Sequence, residues 1–127
     1  MSCMFSGCSS LTELDVSRFD TSKVEFMYSM FSGCSSLTEL DVSRFDTSNV
    51  TYMFEMFRDC CSLETIYASP SADWNRSSVE NGGGDYMFSG CFLLEGGNGT
   101  KYSSSNVDVT YAHVDTEGNP GYFTAKN

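Results

Sequence analysis

The sequence predicts an α/β solenoid, a short right-handed superhelix with a parallel sheet on its concave side, helices on its convex side and a closing C-terminal segment. Three observations predict it: a 26-residue internal repeat, a short strand pattern inside each repeat, and a helical spacing after it. The string from Met4 to Ser22, opening Met-Phe-Ser-Gly-Cys-Ser-Ser-Leu, recurs without a change from Met30 to Ser48. A third unit opens at Met56-Phe57-Arg58-Asp59-Cys60, and a fourth at Met87-Phe88-Ser89-Gly90-Cys91. The fourth comes 31 residues after the third, so the third unit carries a five-residue insertion. Three of the extra residues fall near Ser69-Pro70-Ser71-Ala72-Asp73 and two in Asn81-Gly82-Gly83-Gly84, turn-rich stretches that belong on loops.

The elements follow in order within a unit. Leu14 and Val16 alternate with Glu13, Asp15 and Ser17, which puts the apolar pair on one face of a short strand and the polar residues on the other. Val24, Met27 and Met30 then recur at helical spacing, with Asp20-Thr21-Ser22 as cap candidates, Ser22 to Glu25 as a capping box and Gly33 as a stop. One strand and one helix per coil is the leucine-rich-repeat plan. The units run approximately over 4–29, 30–55, 56–86 and 87–127, a single domain over 1–127 with 95–127 as its C-terminal cap. In that cap Val107, Tyr111 and Val114 are expected to form a last convex helix, and Gly121 to Lys126 a final strand. The Gly96-Gly97-Asn98-Gly99 stretch should leave the fourth strand short or irregular. Met1 aligns with Met27, in the middle of a repeat's helix, so the chain looks cut from a longer array or is a very short natural member, with an uncapped N-terminal flank that favours a homo-oligomer.

The repeated string Met-Phe-Ser-Gly-Cys-Ser-Ser-Leu-Thr-x-Leu-Asp-Val-Ser-x-Phe-Asp-Thr-Ser-x-Val resembles the repeat of the BspA-like leucine-rich-repeat bacterial surface proteins. The resemblance implies a secreted or cell-surface protein with roles in adhesion, binding a protein partner on a host or neighbouring cell. It implies no enzymatic activity. An extracellular interaction module and a structural spacer or self-assembly unit without a dedicated ligand site both remain open.

Composition narrows the chemistry. The chain has 127 residues, and 17 acidic against 7 basic residues give a formal charge of −10. Such a surface repels phosphate backbones, which argues against nucleic acid, and no apolar run is long enough for membrane insertion. The lone histidine, His113, has no evident partner, and no Cys-x-x-Cys or Cys/His cluster suggests a metal centre or catalysis.

Two features remain as site candidates. Cys8, Cys34, Cys60 and Cys91 share one repeat position and form a ladder with rungs about 5 Å apart, which suits buried thiols and permits disulfides. On the concave face Glu13, Asp15, Glu39, Asp41 and Glu64 line up, with Tyr67 beside them. Adjacent carboxylates about 5 Å apart repel by about 0.8 kcal/mol in water and about 3 kcal/mol at an effective dielectric constant of 20. Such a column is tolerated if solvated, or if Ca²⁺ or a basic ligand neutralises it. Trp74 lies in the third-unit insertion, either as a local core plug or, with Tyr67 and Tyr86, as an exposed aromatic anchor for a partner.

Overall fold

The computed structural model describes residues 1–76 and 79–126. Its organising feature is a backbone ladder between successive repeats. Alternate N–H groups at the start of each repeat donate forward to carbonyls of the next. Cys3, Phe5 and Gly7 donate to Tyr28, Met30 and Ser32; Ser29, Phe31 and Gly33 to Phe54, Met56 and Arg58; Glu55, Phe57 and Asp59 to Asp85, Met87 and Ser89, at 2.7 to 3.1 Å. The intervening N–H groups fold back three residues, as in Ser6 to Cys3, Ser32 to Ser29, Cys34 to Phe31 and Arg58 to Glu55. These are the closures of consecutive tight turns.

This pattern overturns the α/β solenoid. Among the described residues there is no α-helix, and where a convex helix is expected from Val24, Met27 and Met30 the chain makes a parallel bridge from Phe26 to Tyr52 and then a run of turns from Tyr28. Two physical causes account for it. Spacings of three residues fit a stack of turns as well as they fit a helix, so the apolar pattern alone does not choose between them. What decides is the backbone at Ser29, Glu55 and Tyr86, where φ is 55 to 56°, a left-handed conformation that stops a right-handed helix. An α-helix spends its N–H groups on carbonyls four residues back, whereas here every second one is spent on the neighbouring repeat. The capping box at Ser22 to Glu25 therefore caps nothing helical. Asp20 and Asp46 instead accept from the N–H and hydroxyl groups of Ser22 and Ser48, closing local turns. In the closing segment, the helix expected around Val107, Tyr111 and Val114 reduces to the 3₁₀ turn Val109–Tyr111, whose Thr110 N–H donates to the Asp108 side chain.

The same ladder stacks the core. Phe5, Phe31, Phe57 and Phe88 form a column with ring centroids 5.8, 5.6 and 5.6 Å apart and planes within 8° of parallel. Met30, Met56 and Met87 and then Leu37, Leu63 and Leu94 form buried columns at equivalent repeat positions. A repeat that buries one side chain at a position thus buries its counterpart in the next repeat, which is why the pattern of apolar residues recurs so strictly.

The sheet is small. It has three parallel strands in the order β1 (Glu39–Asp41), β2 (Thr65–Ala68) and β3 (Phe123–Ala125). Leu40 pairs with Ile66, and Ile66 with Phe123, and all three are buried on the inward side. Glu13 to Asp15 of the first repeat is not a strand of this sheet. The fourth repeat supplies none either: Glu95 forms only an isolated bridge to Lys101. Gly96 there sits so close to the Gly121 carbonyl and Asp115 that no side chain would fit. The closing segment fills the vacant place, bringing β3 directly against β2.

Candidate functional site

The outward side of β1 and β2 carries the residues that the sequence marks as a ligand face. Register pairs Glu39 with Thr65 and Asp41 with Tyr67, so alternation points these four away from the core. The face is a shallow groove lined by Thr12, Glu13, Leu14, Thr38, Glu39, Asp41, Tyr67 and Lys126. It is not a continuous acidic column. Glu64 precedes β2, and Thr65 takes the place opposite Glu39, so the acidic row ends after the second repeat. Asp15 and Asp41 are partly consumed by their own loops, accepting the N–H groups of Ser17 and Ser43 at 2.9 Å. Hydrogen bonding from the Ser17 side chain, and then from its N–H, holds the Asp15 carboxyl below the usual carboxylate range.

A cation already occupies the groove. Lys126 Nζ lies 3.5 Å from Asp41 Oδ2 and 4.9 Å from the centre of the Tyr67 ring, and the Tyr67 hydroxyl lies 3.5 Å from Glu39 Oε2. Burial opposes ionisation of Asp41, but the Ser43 hydrogen bonds and the Lys126 charge outweigh it and hold the carboxyl low. No local motif marks this contact, because Lys126 reaches the groove only through the pairing of β3 with β2. Among the described residues no group of three or more His, Cys, Asp and Glu side chains is arranged to hold a metal ion.

Trp74 is no part of a docking face. It is 2% exposed, stacked 6.3 Å from both Phe45 and Phe57 and edge-on to Phe123 at 5.0 Å. The third-unit insertion thus folds its large ring inward as a plug, leaving Tyr86 exposed without it and breaking up the expected aromatic anchor. His113 is half-buried, with Nδ1 3.0 Å from the Val114 carbonyl.

Comparison with known protein families matches residues 1–115 to the one described as Mycoplasma protein of unknown function, DUF285. The chain belongs to the DUF285 family. Comparison with curated proteins and with solved structures gives no match.

In this DUF285 chain the cysteine column is built of thiol hydrogen bonds. Cys34, Cys60 and Cys91 are buried and free, and their Sγ atoms donate to the carbonyls of Phe5, Phe31 and Phe57 in the preceding repeat at 3.2, 3.1 and 2.9 Å. Burial pushes the Cys34 thiol up to about 11 and the Cys91 thiol up to about 12, and it raises Cys60 as well. Thiolate is the reactive form. Cys3 and Cys61, both exposed, should therefore be alkylated within minutes at pH 8, whereas Cys34, Cys60 and Cys91 should label only when urea unfolds the DUF285 chain. Mass mapping of a time course checks this, and early labelling of Cys60 would show that the repeats part readily.

Sequence reasoning also missed Asp115, the polar centre of the closing segment. Its carboxylate, 6% exposed, accepts the N–H groups of Asn98, Thr100 and Gly121 and the Thr100 hydroxyl. Its donors come from a glycine-rich loop and from the stretch before β3, so no local motif announces them.

Proposed function

We propose that this chain is a non-catalytic interaction module of a secreted or surface protein, and that the groove over β1 and β2 takes basic side chains of a protein partner. One observation carries the reading. The chain's own Lys126 sits between Asp41 and Tyr67 as a bound basic residue would, combining an ion pair with a cation–π contact. Glu13 and Glu39 extend the groove beyond it. The net charge of −10 would steer a basic partner toward the module from a distance. The resemblance of its repeated string to BspA-like surface proteins supports the extracellular setting. A basic group suits the groove better than Ca²⁺, which needs six or more converging oxygens, whereas Asp41 is already engaged by Ser43 and Lys126.

The test is titration calorimetry with an oligolysine peptide. The Glu39→Gln/Asp41→Asn variant should bind about tenfold more weakly, a loss of about 1.4 kcal/mol. Lys126→Ala should bind severalfold more tightly, because it vacates the groove. A control, Glu80→Gln/Glu117→Gln, removes the same charge from exposed positions elsewhere. If the control loses as much affinity as the groove variant, the peptide responds to overall charge and the groove is not its site. The spacer reading expects no difference among these variants.

A further inference from the structure

The third-unit insertion walls a cavity that the repeat pattern does not anticipate. In the first two repeats a serine leads to a phenylalanine two residues on, Ser17 to Phe19 and Ser43 to Phe45, whereas the third runs from Ser69 to Trp74 with three residues more. The added residues turn back on themselves, with the Ala72 N–H on the Ser69 carbonyl at 2.8 Å. They are tied to the closing segment by the Trp74 N–H on the Ala112 carbonyl at 3.1 Å and by an antiparallel bridge between Asp73 and His113. Between this fastened loop and the stretch 42–47 of the second repeat lies a cavity of about 240 Å³, which shares no lining residue with the groove over β1 and β2. One wall is aromatic, the half-buried Phe45 with the buried Trp74 stacked on it at 6.3 Å. The rest is mainly hydroxyl and charge: Ser43, Ser69 and Ser71, the carboxylates of Asp46 and Asp73, and the guanidinium of Arg76. Asp46 Oδ1 accepts from Ser48 and Asp73 Oδ1 from the Asn75 N–H, so each carboxylate is oriented by its own turn, and neither Oδ2 has a donor among the described residues. Arg76 makes no ion pair among the described residues, yet its charge, after the Ser48 hydrogen bonds, helps to hold the Asp46 carboxyl low.

We propose that this cavity binds a neutral hexopyranose ring. Its volume lies below the range of about 300–1,000 Å³ that holds drug-sized ligands, which suits one sugar ring and not a longer chain. The lining offers acceptors on Asp46 and Asp73, donors on Arg76, and serine hydroxyls that serve as either, the mixture that a ring bearing hydroxyls on every side requires. Phe45 supplies an apolar surface for the C–H face of such a ring. Other small ligands fit less well. Two carboxylates outnumber one guanidinium, and the whole chain carries −10, so phosphate and sulfate are repelled. A lone cation would share the cavity with Arg76, and an apolar ligand would desolvate both carboxylates without pairing them.

Trp74, the single tryptophan of the chain, lies in the cavity wall and reports occupancy. The full chain is titrated with the methyl α-glycosides of glucose, galactose and mannose. At least one should change Trp74 emission saturably, with a Kd of about 1 mM. Amide NMR shifts should then move within 43–47 and 69–76. Asp73→Asn, which keeps the acceptor that orients Asn75, and Arg76→Ala, at an exposed position, should each weaken binding by about tenfold. Sorbitol, with its hydroxyls on an open chain, and alanine, a zwitterion that could bridge Arg76 and Asp73, should give no saturable change. The proposal is overturned if none of the three glycosides saturates, if sorbitol or alanine does so equally, or if the NMR shifts gather outside the cavity wall. Unchanged affinity in both variants overturns it as well.

Discussion

Phe57→Ala is expected to destabilise the chain by about 3–5 kcal/mol, the usual cost of emptying a buried phenylalanine site. Phe57 is completely buried and sits mid-column, with Phe31 and Phe88 each 5.6 Å away and Trp74 at 6.3 Å. Its removal breaks three stacked pairs, with Phe31, Trp74 and Phe88, each worth about 0.5–1.5 kcal/mol beyond area burial. The backbone ladder on both sides resists collapse into the void, because Phe57 donates its N–H to Met87 and receives the Cys91 thiol on its carbonyl, while the adjacent Met56 carbonyl receives the Phe31 N–H of the preceding repeat. A domain of this size has about 5–15 kcal/mol in all, so the loss is a large share. Phe5→Ala, at the half-buried end of the column, should cost about half as much or less. Urea unfolding followed by tyrosine and tryptophan fluorescence measures both. Equal small losses at Phe5 and Phe57 would show that the rings do not act as a continuous core.

Asp115→Asn should cost about 2–4 kcal/mol, since hydrogen bonds to a charged group are worth about 1.5–3 kcal/mol each and do not add fully. The carboxylate accepts from Asn98 N–H and Thr100 N–H at 2.9 Å, Thr100 Oγ at 2.7 Å and Gly121 N–H at 3.2 Å. Asparagine keeps one acceptor and turns an NH₂ group toward donors. The effect also has a pH signature. Burial works against ionisation, yet the hydrogen bonds from Thr100, Gly121 and Asn98 outweigh it and hold the carboxyl below its ordinary 3.8. Between the lowered folded value and 3.8 the unfolded chain binds more protons, so stability rises with pH there. The Asp115 contribution is thus complete above about pH 5 and fades as pH falls through the folded value. Asp15, Asp20, Asp41 and Asp46 are held low in the same direction, so the parent chain loses stability in acid for several reasons. The difference between parent and Asp115→Asn isolates one of them: it should shrink as pH falls from 5 to 2. A difference independent of pH would mean that the Asp115 carboxylate is not the group that ties the closing segment.

How far the sequence alone reaches is decided by the range of each interaction. The 26-residue period, the loop character of the insertions and the inward Leu40 and Val42 all follow from patterns within a repeat, and they are visible in it. The helices were misread because Val24, Met27 and Met30 supply an apolar spacing that stacked turns share. The residues that choose the turns, Ser29 and Glu55, are left-handed without being glycine, so nothing in their identity marks them. Gly33, expected as a helix stop, has no helix to stop; what its identity does mark is a left-handed turn position, with φ of 78° that glycine takes without strain. Glu64 was assigned to the acidic face by counting, and a single position of register removes it. Lys126 on Tyr67, Trp74 beneath Phe45 and Asp115 on Thr100 are contacts between distant segments, set by where the closing segment lands.

The directional ladder carries a consequence for how such a chain changes over generations. Each repeat brings its own donors, acceptors, ring and thiol, so a copy inserted whole between two others meets correct partners on both sides with no compensating mutation. The nineteen residues shared without a change by Met4–Ser22 and Met30–Ser48 are what such a copying event leaves behind. Growth and shrinkage in steps of 26 residues are then nearly neutral genetic events. Substitutions inside a step are not, because each must satisfy a neighbour above and another below.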